Sequence, residues 1–429
     1  MSVRGTGEGG RTVVGGRRLG RGFGWLWASY AVSTLGTWLA FDAFPLIAIL
    51  VLHAGTTQVS LLAAMGPAVG AVLALPLGPW VENRPKRRVM IAMDLLRFAA
   101  LTSVPAAYLL GALTFGQLLL VSVVAGAAGI AFTAAGGACL KELVPPRDLL
   151  VANGRFESTT WTATMLGPPL GGAAIAAFGP VVTVMANAVS HLLSAAGIRA
   201  IGAPEPPPAP GGGARQRLRA GDLFEGWRHI LADSVLRPLF LNSVLVGGLI
   251  MATSPLLAVL MLGPLGFAPW QYALAFAAPC VGGLIGSRLA PGLVDRFGQR
   301  RVMLTAGTLR ACWLPWLAFV GPGTSGIVLV MAVELGLITC MGFFNPVLAT
   351  SRLARTPADR AARTLLAWSV SGKAVIATLT ALWGLLAVAT GPRAAIAVAG
   401  VLGMATPLLL PRSAPADSTV LSGGPRDER

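Results

Sequence analysis

Formal charge is missing from this chain in long, regular blocks. No Asp, Glu, Lys or Arg lies between Asp42 and Glu82, Arg97 and Lys141, Glu157 and Arg199, or Arg237 and Arg288. Each gap runs for about 40 to 50 residues, and one helix across a bilayer takes about 20 apolar residues. Each gap therefore predicts two helices and a turn. The turn signals fall mid-gap at Gly55-Thr56-Thr57, Gly111-Ala112, Gly179-Pro180 and Gly263-Pro264, followed later by Gly321-Pro322-Gly323 and Gly391-Pro392. Gly and Pro punctuate helices, and lipid tolerates no exposed irregular backbone, so the turns are tight. Only 12% of residues are charged, and mean hydropathy is +0.71. A soluble domain carries about 25% charged residues, so an ordinary soluble enzyme and a disordered chain are both excluded.

The pattern predicts an all-α integral membrane protein with twelve transmembrane helices in two six-helix halves. The spans are 23–53, 58–81, 88–110, 115–140, 150–177, 181–201, 236–262, 268–291, 301–320, 325–351, 364–389 and 393–411. Residues 1–22 and 412–429 are tails, 23–202 and 236–411 the two halves, and 203–235 a linker with an amphipathic helix. Lys and Arg number 33 against 17 acids. The six hairpin turns on one side hold a single basic residue, Arg393, and basic excess marks the cytoplasmic side. Both termini are thus expected in the cytoplasm, in the cell membrane. The positive balance sets orientation and needs no nucleic-acid partner. Met1–Arg21 is Gly-rich, with five arginines and a long apolar stretch after it; it reads as a retained tail, unlike a cleaved signal.

Ala203–Asp222 is rich in Pro and Gly, which fits a cytoplasmic strap. Leu223, Phe224, Trp227 and Ile230 follow at helical spacing, which predicts an amphipathic helix lying in the membrane interface. An offset of 213 residues aligns Val81–Arg97 with Val294–Arg310 without a gap, with seven of 17 positions identical. Arg87-Arg88-Val89-Met90 falls on Arg300-Arg301-Val302-Met303, and Arg97 on Arg310. Two similar six-helix halves are one transporter plan.

Here the sequence resembles the major facilitator superfamily. Its loop motif, G-x-x-x-D-R-x-G-R-R, is matched by Gly78, Glu82, Arg84, Arg87 and Arg88, with Asn83 and Pro85 departing from it. It is matched again by Asp295, Arg296, Gly298, Arg300 and Arg301, with Pro291 in the leading Gly position. The resemblance implies that these loops latch the outward-facing state. Exporting members resemble G-x8-G-x3-G-P-x2-G in the fifth span; this chain has Gly154, Ala163, Gly167, Pro168 and Gly171. Val144–Asn153 and Glu225–Arg228 look like the branch that holds macrolide-efflux and enterobactin-export proteins. The resemblance covers about residues 20 to 412.

Ionisable groups inside spans cost several kcal/mol unless paired or hydrated. Asp42, Glu334 and Lys373 are placed well inside. Glu334 and Lys373 each lie about ten residues, or roughly 15 Å, from their helix starts on opposite sides. That puts an ion pair between them within reach, and makes Glu334 or Asp42 the expected proton carrier. Asp94 and Arg97 are expected to brace the cytoplasmic loop. His53, His191 and His229 are scattered at or near helix ends or in the linker, and no metal motif appears. The four cysteines lack C-x-x-C spacing and read as apolar filler. Trp161 and Trp368 are cavity candidates, with core packing the alternative for each.

No G-x-x-x-x-G-K-[ST] sequence is present, so energy comes from a gradient. The expected function is proton-coupled efflux of an amphipathic small molecule by a monomer without cofactor or enzymatic activity. Gln117, Asn187, Asn242 and Asn345 are the sparse amides within spans, which favours a weakly polar ligand over the cargo of a nutrient importer. A membrane enzyme would need converging catalytic groups, and a sensor an appended domain; neither is seen.

Overall fold

The computed structural model describes residues 19–41, 43–54, 58, 62, 81, 84–202 and 224–411, and every element among them is helical. The first half holds α1 (Arg21–Leu39), α2 (Ala43–Leu50), α3 (Lys86–Leu109), α4 (Phe115–Leu143), α5 (Leu149–Phe178) and α6 (Pro180–Arg199). A short α7 (Glu225–Ala232) leads into α8 (Leu236–Leu262), α9 (Pro269–Ala277), α10 (Cys280–Phe297), α11 (Gln299–Trp313), α12 (Gly323–Arg355), α13 (Ala361–Thr390) and α14 (Pro392–Ala405). Among the described residues, ten segments are long and apolar enough to cross a membrane. Helix α5 is 30 residues long but more polar, with Arg155, Glu157 and a run of Ser and Thr. These account for eleven of the expected spans. The second span, the strap and both tails lie outside the described residues, apart from isolated positions.

Two expected spans are broken. The first is α1 followed by the separate α2, and the eighth is α9 and α10 parted at Ala278–Pro279. Helix α10 also continues past Pro291 to Phe297. A membrane helix tolerates an internal Pro because neighbouring groups satisfy the freed backbone. Asp295 and Arg296, expected in a loop, therefore occupy its last turn.

The internal repeat reaches beyond the aligned sequence. Gly179 is the sole residue between α5 and α6, and Gly391 the sole residue between α13 and α14, both at φ +84°. A side chain disfavours that backbone conformation, and Pro180 and Pro392 follow at the first helical position, where no N–H is needed. The repeat-related Arg97 and Arg310 are likewise matched. Each lies 11 residues into its helix, about 16 Å from the end, with its guanidinium over a Phe ring on the next helix: Arg97 at 5.3 Å from Phe132, Arg310 at 3.7 Å from Phe344.

These arginines correct the expectation that Asp94 and Arg97 brace a loop. Asp94 is fully buried, with Arg97 Nη1 at 3.6 Å and His191 Nδ1 at 3.4 Å. His191 sits in the middle of α6, not near an end. The polar cluster ties α3 to α6 inside the first half. In the second half Arg310 donates to Asn242 Oδ1, and Asn242 Nδ2 donates to the Thr406 carbonyl at 2.7 Å.

The two halves meet unevenly. At the arginine-rich end one core cluster takes Met90, Ala135 and Leu140 from the first half and Leu353, Leu365 and Leu366 from the second. At the other end each half keeps its own core, around Ile47, Leu101 and Val184 in one and Leu257, Leu314 and Val333 in the other. Helix α13 follows the same pattern, for beyond Val370 its only buried residue is Trp383.

The amphipathic α7 docks on protein and does not lie free in the interface. Ile230 is completely buried, Trp227 Nε1 donates to Ser371 Oγ at 2.8 Å, and Glu225 pairs with Arg363 and Arg360. A Cβ on Gly226 would strike the Arg363 carbonyl, so this Gly lets α7 lie against α13. Asp233 then starts α8 by accepting hydrogen bonds from the Val235 and Leu236 amides, both at 2.8 Å. Burial pushes its carboxyl up, but those two bonds, with Arg355 at 3.5 Å, outweigh burial and hold it below the usual carboxylate range.

Candidate transport site

The hydrogen bonds that join the halves lie on the arginine-rich side of the seam. Lys141 Nζ, at the end of α4, donates to the Leu353 carbonyl at 2.8 Å and also to that of Thr356. Asn153 Nδ2 donates to Thr350 Oγ1 at 3.0 Å, and Ser158 and Ser287 share a hydrogen bond of 2.7 Å. Glu157 brings a carboxylate to this series. Its Oε1 accepts from Trp161 Nε1 at 2.9 Å within α5 and from Asn345 Nδ2 at 2.7 Å on α12. All three residues are partly buried, and this carboxylate bridges the halves.

Small residues make the bridge possible. A Cβ on Gly283 of α10 would collide with the Trp161 indole. One on Gly342 of α12 would come within 2.6 Å of the Gly283 carbonyl oxygen, and one on Gly286 within 2.6 Å of the Thr339 carbonyl oxygen. Close backbone approach of this kind is how membrane helices gain contact without a hydrophobic driving force. Below Glu157 a pocket of about 160 Å³ is lined by Tyr30, Phe132, Asn153, Phe156, Arg352 and Leu365, among others. Tyr30 shares a hydrogen bond of 2.8 Å with Thr160 and meets Phe156 edge-on at 4.7 Å.

The expected Glu334–Lys373 pair does not form. Neither side chain makes an ion pair or hydrogen bond among the described residues. Counted from the connected ends of α12 and α13, Glu334 lies 21 residues from Arg355 and Lys373 only 12 from Ala361, a difference in height of about 13 Å. Helix α12 is simply longer than the span expected for it. Glu334 is buried within electrostatic reach of Tyr272 and Cys280, and Lys373 is half-buried on α13. Asp42 lies outside the described residues. Sequence reasoning missed Glu157, whose signal was the Glu157–Trp161 spacing of four on one helix face. Three of the four amides serve the protein: Gln117 binds the Ser103 carbonyl, while Asn242 and Asn345 hold Arg310 and Glu157; Asn187 is buried on α6, its Oδ1 without a hydrogen bond among the described residues. Trp161 reaches the seam, whereas Trp368 is buried against Phe240 and Arg352.

The sequence model described as Major Facilitator Superfamily matches residues 26–365. The chain belongs to that superfamily. Among its relatives is the multidrug efflux pump Tap of Mycolicibacterium fortuitum, 26% identical over 314 residues, or 71% of this chain and 74% of that one. Tap of Mycobacterium tuberculosis H37Rv is 28% identical over 302 residues, covering 66% and 68%. The fold is that of a bacterial homologue of the iron transporter ferroportin in its outward-facing state (TM-score 0.76, 17% identity, 92% and 98% covered). It is shared also by the human organic anion transporter MFSD10 (TM-score 0.74, 14% identity, 92% and 100% covered). The chain is therefore a multi-pass membrane protein of a transporter family, with distant efflux-pump relatives.

The superfamily's motifs have distinct places. In α5, a Cβ on Gly154 would come within 2.9 Å of the Ser287 carbonyl oxygen, across the seam. Gly167 and Gly171 instead press on the backbone of Trp38 and Leu39 in α1, inside the first half, and Pro168 lies within the helix between them. Of the loop residues, Arg87 Nη1 donates to the Ile201 carbonyl at 3.0 Å. Arg84, Arg88, Arg296, Gly298, Arg300 and Arg301 are exposed. Asp295 is exposed and makes no ion pair or hydrogen bond among the described residues, so Lys141, not this acid, crosses the seam here. Gly78 and Glu82 lie outside the described residues. Three cysteines are buried and Cys312 is exposed, and none forms a disulfide among the described residues.

Proposed function

We propose that the protein exports an amphipathic small molecule from the cell in exchange for protons, as a monomer that alternates between two states of the seam. The observation that carries this reading is Glu157, a partly exposed carboxylate bonded across the halves in a relative of multidrug efflux pumps. An ionised carboxylate only accepts hydrogen bonds, whereas a protonated one also donates. Proton binding at Glu157 changes what the Asn345 amide can offer it, and so biases the seam. Glu334 and Asp42 are the competing carriers. A cargo with an apolar body suits the aromatic lining of Tyr30, Phe132 and Phe156.

The test is transport itself. Inverted vesicles with an imposed gradient, acid inside, should accumulate one or more of a panel of cationic and neutral fluorescent drugs, and collapsing the gradient should release them. Accumulation that ignores the gradient would remove proton exchange from this reading.

This reading puts the arginine-rich end in the cytoplasm, because basic excess marks that side. In a background lacking the exposed Cys312, Ala112→Cys should label with an impermeant thiol reagent from outside, and Ala358→Cys only after permeabilisation. Labelling of both from one side overturns the topology.

A further inference from the structure

A second cleft, of about 660 Å³, lies where α1, α5 and α10 meet, apart from the pocket below Glu157. Its walls include Trp27 and Leu35 of α1, Val151 of α5 and Pro291 of α10. Its polar lining comprises two arginines, Arg155 of α5 and Arg288 of α10, with Ser158, Thr159, Thr162 and Ser287, and no acid lines it among the described residues. Arg155 lies six residues into α5, about 9 Å from its start, with its guanidinium 5.7 Å from the Phe23 ring and 6.0 Å from the Trp27 ring. Arg288 is exposed and makes no ion pair or hydrogen bond among the described residues. The surrounding surface is apolar and open: Leu35 is 41% exposed, Ile285 49% and Leu289 54%. That is a lipid-facing surface, and it holds an unmatched cation at its arginine-rich margin.

We propose that this cleft binds an anionic phospholipid of the arginine-rich leaflet. The phosphate sits between Arg155 and Arg288, and an acyl chain runs along Trp27, Leu35 and Ala163. Guanidinium groups bind phosphate through parallel N–H donors, and an arginine facing lipid without a counter-charge is costly. Basic pockets between helices on this side of a membrane suit such headgroups. The walls come from both halves, so the bound lipid bridges the seam where Gly154 and Ser158 meet Ser287. Opening this end of the seam separates α5 from α10, and with them the two arginines. The lipid therefore favours the closed arrangement.

The test uses the purified full chain, stripped of lipid in detergent and offered phosphatidylglycerol or phosphatidylcholine at equal concentration, with bound lipid counted by native mass spectrometry. Each arginine is worth about a five-fold preference for the anionic lipid. Phosphatidylglycerol should thus be retained at least ten-fold better than phosphatidylcholine. Arg288→Gln should cut that preference about five-fold, Arg155→Gln with Arg288→Gln should abolish it, and Arg288→Lys should keep most of it. Equal retention of the two lipids by the native chain, or an unchanged preference in the double variant, overturns the proposal. So does displacement of the lipid by inorganic phosphate at matched concentration, which would assign the arginines to a soluble anion. Should the double variant fail to elute as a single species, Arg288→Gln decides alone, because Arg288 is exposed.

Discussion

Glu157→Gln is expected to lower drug accumulation driven by a pH gradient at least ten-fold, while leaving downhill exchange of the same drug within about two-fold. The substitution keeps the shape, and it keeps an oxygen for Trp161 Nε1 and Asn345 Nδ2. What it removes is the ability to change charge. A seam that still opens and closes but no longer registers a proton should carry cargo down its gradient and not up it. The measurement is uptake into inverted vesicles with and without an imposed gradient, compared with Glu334→Gln and Asp42→Asn. Uphill accumulation that survives in Glu157→Gln and disappears in one of the other two would move the coupling to that residue.

Asn242→Ala should produce the largest loss of stability. Asn242 is fully buried and holds two helices at once, receiving Arg310 from α11 and donating to the Thr406 carbonyl after α14. Arg310 is 3% exposed and pairs with no acid among the described residues, and it lies over the Phe344 ring. Removing one partner of a buried charged contact costs about 3–5 kcal/mol, because the other is left unsatisfied. The variant should lose most of its monodisperse fraction after mild heating in detergent, as followed by size-exclusion chromatography. Asn242→Asp, which restores an acceptor for Arg310, should recover much of it. Heat resistance equal to the native chain in Asn242→Ala would show that Arg310 has other support.

The charge-free gaps carried most of the fold. They located the helices and their turns because lipid excludes both charge and irregular backbone, and the 213-residue offset exposed the two halves. The same signal concealed the site. Arg97 and Glu157 mark the ends of charge-free gaps, yet the expected spans 88–110 and 150–177 already enclose them. Arg97 lies 11 residues into α3, and Glu157 lies eight into α5. A residue at the margin of a gap does not stand out as an interior one, so Asp94 and Arg97 read as a loop brace without His191, and Glu157 gives no sign of its bridge. The Glu334–Lys373 pairing failed for a related reason, since depth was counted from span ends and α12 overshoots its expected span. The motif glycines were legible as close contacts, but that Gly154 faces the other half while Gly167 and Gly171 face α1 depends on packing that spacing alone does not encode.

Arg97 and Arg310 lie inside the halves, and the contacts that fix them stay inside as well. The residues that border the seam are a different set: Tyr30, Phe156, Glu157, Trp161 and Asn345. In the proposed exporter, folding and cargo choice are thus written in largely different residues, with Phe132 shared between the Arg97 cluster and the pocket. On that reading a lineage with this architecture can drift in its cargo by exchanging side chains along the seam, and only at Phe132 does such a change reach an inner cluster.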